Sequence, residues 1–148
     1  APQVLRLLDY VIFNALIGNH DAHAKNFSLL YSGKAPVLAP SYDTLSTAAY
    51  PTMTQKMAMK IGSKYKFSEV QARHWEQFAE SVGLTKAQAK RRILELAKLL
   101  PANARKLQFA PERGFVGNAV VEQISTLIEH CCALTIRRLN VPATESSV

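Results

Sequence analysis

"GNHDAHAKNF" (residues 18–27) puts His20, Asp21, His23, Lys25 and Asn26 into one short segment directly behind a long apolar run. Such a cluster suits three roles: holding a metal, moving a proton, or decorating a turn. Its neighbours narrow the choice. Upstream, "QVLRLLDYVIFNALI" (3–17) reads as a helix that is apolar on most sides, the pattern of a buried helix. Gly18 is its expected stop. Downstream, "FSLLY" (27–31) and "PVLAP" (36–40) flank "SGKA", a turn containing Gly33, which together predict a hairpin. "SYDTLSTAAYPT" (41–52) reads as irregular, and "KMAMKIG" (56–62) as a further short strand ending at Gly62.

From Ser68 onward the pattern is helical. Ser68 with Gln71 predicts a capping box for "EVQARHWEQFAESVG" (69–83), with Val70, Trp75 and Phe78 as its apolar stripe. Thr85 is the expected cap of "KAQAKRRILELAKLL" (86–100), with Ile93, Leu94, Leu96, Leu99 and Leu100 inward and Pro101 a breaker or kink. "APERGFVGN" (110–118) reads as a loop and "AVVEQISTLIEHCCALTIRRLN" (119–140) as a last long helix. The polar tail 143–148 is expected to fray. The fold class is therefore mainly α: one domain over residues 1–142, with a small β-hairpin right after the cluster.

Bulk properties exclude several classes. Of the 148 residues, 48% are hydrophobic and 20% charged, ordinary for one globular domain with a real core. No apolar run reaches the roughly 20 residues of a membrane helix, so no membrane is expected. The opening "APQVLRLLDY" has neither an initiator Met nor a signal-peptide pattern and reads as part of a longer chain. Cys131 and Cys132 are adjacent, a poor geometry for a disulfide and too few ligands for zinc; they read as buried thiols in a cytoplasmic protein. The net charge of +7 comes mostly from residues 56–66, with four Lys and no acid, and residues 86–106, with seven cations against Glu95. Either stretch can meet phosphate or simply face solvent.

The cluster's spacing carries the chemistry. Asp21 and Asn26 are five apart, and Asp43 follows seventeen residues later, beyond the second predicted strand. Mg²⁺ takes oxygen ligands. In phosphoryl transfer one carboxylate orients the attacking hydroxyl, while an amide oxygen and a second carboxylate hold the metal against the phosphates. Protein kinases space these groups as Asp, four residues, Asn, then an Asp after a short hairpin. Here His20 stands where they have Arg, and Thr44 and Leu45 stand where they have Phe-Gly.

"FNALIGNHDAHAKNFSLLY" (13–31), "LAPSYDTLST" (38–47), "KMAMKIG" and "RHWEQFAESVGL" (73–84) resemble the HipA-type toxin kinases of bacterial toxin–antitoxin pairs. The resemblance runs through nearly the whole chain. It implies a Ser/Thr protein kinase, using ATP and Mg²⁺, on a kinase-like fold distant from the eukaryotic enzymes. It further implies a protein substrate with a Ser or Thr acceptor and a HipB-like antitoxin that is a DNA-binding repressor. By position, Asp21 is then the catalytic aspartate, with His23 and Lys25 beside it on the catalytic loop near the phosphates. Asn26 and Asp43 are then the cofactor-binding Mg²⁺ ligands. His20 and His23 are also read as orienting the loop by hydrogen bonds, and His74 and His130 as packing or surface residues.

Two kinase parts are missing from the sequence. None of the six glycines forms a phosphate-binding Gly-rich loop, and no strand before the cluster carries a nucleotide-facing Lys. Lys60 in "MAMK" imitates that lysine but follows the catalytic loop, so it is read as non-catalytic. The chain thus reads as the C-terminal lobe alone, inactive without its N-lobe. Two rivals stay open. One is a His-Asp metal-dependent phosphohydrolase, built on His20-Asp21, although residues 1–19 offer no further His. The other is a basic helical module that binds DNA or a partner through 86–106.

Overall fold

Pro2 opens helix α1 (Pro2–Leu16), a position where the missing N–H has no partner to lose. The computed structural model describes residues 2–141, so the expected tail at 143–148 lies outside the described residues. After α1 come two antiparallel hairpins: β1 (Leu29–Leu30) with β2 (Val37–Leu38), and β3 (Lys56–Ile61) with β4 (Lys64–Lys66). Helices α2 (Ala72–Ser81), α3 (Lys86–Gln108) and α4 (Ala119–Leu139) complete the mainly α fold. The first hairpin stands where the sequence put it. The second was half anticipated: "KYK" has no apolar alternation, so β4 left no pattern to read.

One core joins all four helices. Leu8, Ile12 and Leu16 of α1 meet Met57 and Ile61 of β3, Trp75 and Ala79 of α2, Ile93 of α3, and Ile128 and Cys132 of α4. Each fully buried Leu or Ile contributes about 1.5–3 kcal/mol of transfer free energy. Along α3, Ala89, Ile93 and Ala97 repeat every fourth residue and form the buried line. Leu99 falls off that line and is 57% exposed, against the inward expectation. Cys131 and Cys132 are free, buried thiols, and burial pushes them up to about 11 and about 12. They are therefore protonated and unreactive near neutrality.

Two helix boundaries differ from expectation. Residues Phe67–Glu69 form a 3₁₀ turn and Val70 is extended, so Ser68 caps nothing. Instead Gln71 is the cap of α2, and its N–H donates to His74 Nδ1 at 2.8 Å. Pro101 neither ends nor caps α3, which runs on to Gln108. A proline inside a helix costs on the order of 3 kcal/mol. The turns beyond it are held by Arg105, which bonds Glu122 and Glu129 across to α4 and Gln108 on α3 itself. By length and composition alone α4 is long and apolar enough to cross a membrane, which the apolar runs of the sequence did not suggest. Its buried stripe, Ser125, Ile128, Cys132, Thr135 and Leu139, faces the domain, and its most extensive packing partner is α3. It is a core helix.

Candidate active site

Gly18 turns the chain out of α1 with φ +72°, a conformation other residues rarely adopt. A Cβ there would also fall 2.7 Å from Cβ of Ala48, so only glycine allows this approach. Gly18 O accepts from Ala48 N–H (3.0 Å) and from Thr47 Oγ1 (3.2 Å), strapping the start of the loop to a 3₁₀ turn at Thr47–Ala49.

His20 fastens the same loop to two more segments. It is buried, and its N–H donates to Thr47 Oγ1 at 2.9 Å. Its Nδ1 lies 3.1 Å from Thr54 O, so the ring carries its proton there. Its carbonyl accepts from Ala58 N–H of β3 at 2.7 Å. The loop-orienting role expected of His20 is what the hydrogen bonds provide. With its ring engaged inward and Asp21 exposed, the two side chains of the His20-Asp21 dipeptide face different surroundings.

Asp21 and His23 form a pair: Asp21 Oδ1 sits 3.0 Å from His23 Nε2, with both side chains about half exposed. His23 N–H donates to Asn26 Oδ1 at 2.9 Å, which closes the short 3₁₀ turn Ala24–Asn26. Across the first hairpin, Asn26 Nδ2 donates to Asp43 Oδ2 at 3.0 Å. Asp43 has φ +54° and is the one non-glycine with positive φ among the described residues. Such a backbone costs energy and persists where neighbours hold it.

Tyr42 supplies one of those holds. Its hydroxyl donates to Lys25 O at 2.9 Å and accepts from Ser28 Oγ at 2.7 Å, pressing the segment before Asp43 onto the loop that carries Asp21. The Lys25 side chain is exposed and makes no ion pair among the described residues. Lys60, set aside in the sequence, borders a cavity of about 110 Å³ that Ala22, Phe27 and Met57 also line.

Asn26 and Asp43 thus touch directly, while Asp21 joins them through His23 and through Asn19. Two residues that sequence reasoning missed make the second link. Asn19 Oδ1 accepts from Asp21 N–H (3.2 Å), and Asn19 Nδ2 donates to Asn14 Oδ1 (2.8 Å) and Asp43 O (3.4 Å). The available signal was Asn14, a lone carboxamide in an otherwise apolar stretch of helix. The Asp43 carboxylate and the Asn26 amide oxygen are hard oxygens of the kind Mg²⁺ selects, although here Asn26 turns its oxygen to His23 N–H and its Nδ2 to Asp43. Among the described residues no group of three or more His, Cys, Asp or Glu is arranged to hold a metal.

The family described as HipA-like C-terminal domain matches residues 1–104. The chain belongs to this family. "Putative kinase Y4mE" of Sinorhizobium fredii is 49% identical over 96 residues, which are 65% of this chain and 23% of that protein. The "Serine/threonine-protein kinase toxin HipA" of Shewanella oneidensis is 28% identical over 95 residues, 64% of this chain and 22% of the toxin. The HipA-like chain therefore spans less than a quarter of the length of these relatives. Its fold is that of a chain in the complex of Shewanella oneidensis HipA, HipB and operator DNA: TM-score 0.77 over 90% of this chain and 32% of that one, at 23% identity.

Proposed function

We propose that this HipA-like domain, residues 1–142, is the C-terminal lobe of an ATP- and Mg²⁺-dependent Ser/Thr protein kinase. The observation that carries this reading is the Asn26–Asp43 contact, made across seventeen residues and next to Asp21. In this reading Asp21 accepts the proton of the acceptor hydroxyl. Its exposure leaves room for a protein substrate, and His23 steadies its carboxylate. Asn26 and Asp43 would hold Mg²⁺, which when bound neutralises charge on the phosphates. Lys25, on the outer side of the same turn, is available to the phosphate oxygens.

The phosphohydrolase alternative gains no support from the geometry, since among the described residues no group of three or more His, Cys, Asp or Glu is arranged to hold a metal. A HipB-like repressor and operator DNA are proposed partners, by likeness to the Shewanella complex. Contact with DNA would use exposed cations of the 86–106 region such as Lys90 and Lys98, which have no ion pair among the described residues. The proposed compartment is the cytoplasm.

With no glycine-rich loop in its sequence, the chain alone is expected to show negligible turnover. Preceded by the N-terminal portion its relatives carry, it should phosphorylate Ser or Thr. There Asp21→Asn should lower kcat by about 10²–10⁴-fold, the range for a general base, with nucleotide affinity nearly unchanged. Unchanged kcat would refute the assignment of Asp21.

A further inference from the structure

We infer that the buried carboxamide pair Asn14–Asn19 is a positioning device: it fixes Asp21 relative to Asp43. The inference rests on the kinase reading above. Asn14 and Asn19 are 8% and 5% exposed, and a buried amide is costly unless its hydrogen bonds are met. Here they are met in a particular direction. Asn14 Nδ2 donates to Tyr10 O at 2.9 Å, anchoring the pair in α1. Asn14 then accepts twice from Asn19: its Oδ1 from Asn19 Nδ2 (2.8 Å), its carbonyl from Asn19 N–H (2.8 Å). The remaining valences of Asn19 point outward, Oδ1 to the Asp21 N–H and Nδ2 to the Asp43 carbonyl.

One planar group thereby holds the backbones of two residues that are 22 positions apart. One of them, Asp43, sits in left-handed conformation and needs external restraint to stay there. The 110 Å³ cavity that both asparagines border is lined largely by apolar side chains such as Val11, Met57 and Phe78. Packing alone would be served by aliphatic residues at both positions. The carboxamides add a rigid connection from α1 to both ends of the site. Asn19 is a positioning residue, because it reaches the two aspartates through their backbones and not the reacting atoms.

Three measurements on the chain test this: Mn²⁺ binding by electron paramagnetic resonance, hydrogen exchange of the Asp21 amide by NMR, and thermal unfolding. Asn19→Asp keeps the acceptor for Asp21 N–H and removes the side-chain donors to Asn14 Oδ1 and Asp43 O. It should retain protection at Asp21 yet weaken Mn²⁺ binding about tenfold, the effect of one lost hydrogen bond. Asn19→Ala should lose both. Asn103→Ala, which removes a bond to Leu99 O on α3 away from the site, should change neither. Wild-type Mn²⁺ affinity in a folded Asn19→Asp variant overturns the inference. Asp43→Ala separates the two levels: if it binds Mn²⁺ as well as wild type does, the metal reading fails, and the inference with it.

Discussion

Residues 86–106 and residues 56–66 look alike in sequence, each a run of cations with almost no acid. In three dimensions they differ. On α3, Lys86 lies 3.3 Å from Glu76 and 3.6 Å from Glu80. Arg92 grips Asp9 with two bonds of 2.5 and 2.9 Å and reaches Glu95 at 2.9 Å. Arg105 binds Glu129 and Glu122 at 2.6 and 2.8 Å. On the β3–β4 hairpin, Lys64 meets Glu69 at 3.7 Å, and Lys56 stands directly opposite Lys66. Besides Glu95 on α3 itself, the acids that pair with α3 come from α1, α2 and α4, up to 83 residues away, so the basic run read alone does not reveal most of them. Cations that cross between helices fasten the fold; on the hairpin, Lys56 and Lys66 are left facing one another.

The largest effect expected from that difference is on stability. Arg92→Ala removes a bidentate pair joining α1 to α3 and should lower unfolding free energy by about 1 kcal/mol, a value already reduced for partial exposure. Chemical denaturation with a double-mutant cycle against Asp9→Asn would isolate the coupling. If Lys60→Ala on the hairpin proved equally damaging, the contrast between the regions would fail.

Acid sharpens the contrast next. His74 is buried at the α2 cap beside the hairpin, and its pKa is held below 6.5 by burial first, then by the charges of Arg73 and Lys64. Its neutral ring accepts the Gln71 N–H. The unfolded chain therefore binds a proton near pH 6.5 that the folded chain resists. The stability contributed by neutral His74 is complete above that pH and is lost as pH falls below it toward the lowered native value. Urea midpoints compared at about pH 7.5 and about pH 5, either side of the ordinary imidazole range, should fall on acidification, and His74→Gln should flatten the dependence. A wild-type curve as flat as that of the variant would mean that His74 is not the group responsible.

What the sequence made legible follows from the range of the interactions involved. α1 with its glycine stop, the first hairpin, the Thr85 cap and the start of α4 all rest on local patterns, and they stand as read. The meeting of Asn26 with Asp43 was legible because motif spacing records a loop and a hairpin of fixed length. The misreadings have nonlocal causes. Ser68 lost its helix start to Val70, which packs into the core, and Pro101 was carried through by the Arg105 network of α4. Asn19 was invisible because its importance lies in what it touches, two backbone groups brought near it only by the folded loop.

The smallest expected effect tests the comparison most directly. Lys56 and Lys66 are cross-strand partners, and like charges in that register repel, whereas opposite charges attract by roughly 0.2–1 kcal/mol. Lys56→Glu should therefore raise stability by a few tenths of a kcal/mol at low ionic strength, since the exposed pair is solvated. Added salt, which shortens the Debye length to about 3 Å at 1 M, should erase the gain. The same charge reversal at Arg92 should do the opposite at every salt concentration, because it sets a new carboxylate against those of Asp9 and Glu95. A hairpin variant that lost stability at low salt would mean that Lys56 already has a compensating acid, and the two basic regions would no longer be different in kind.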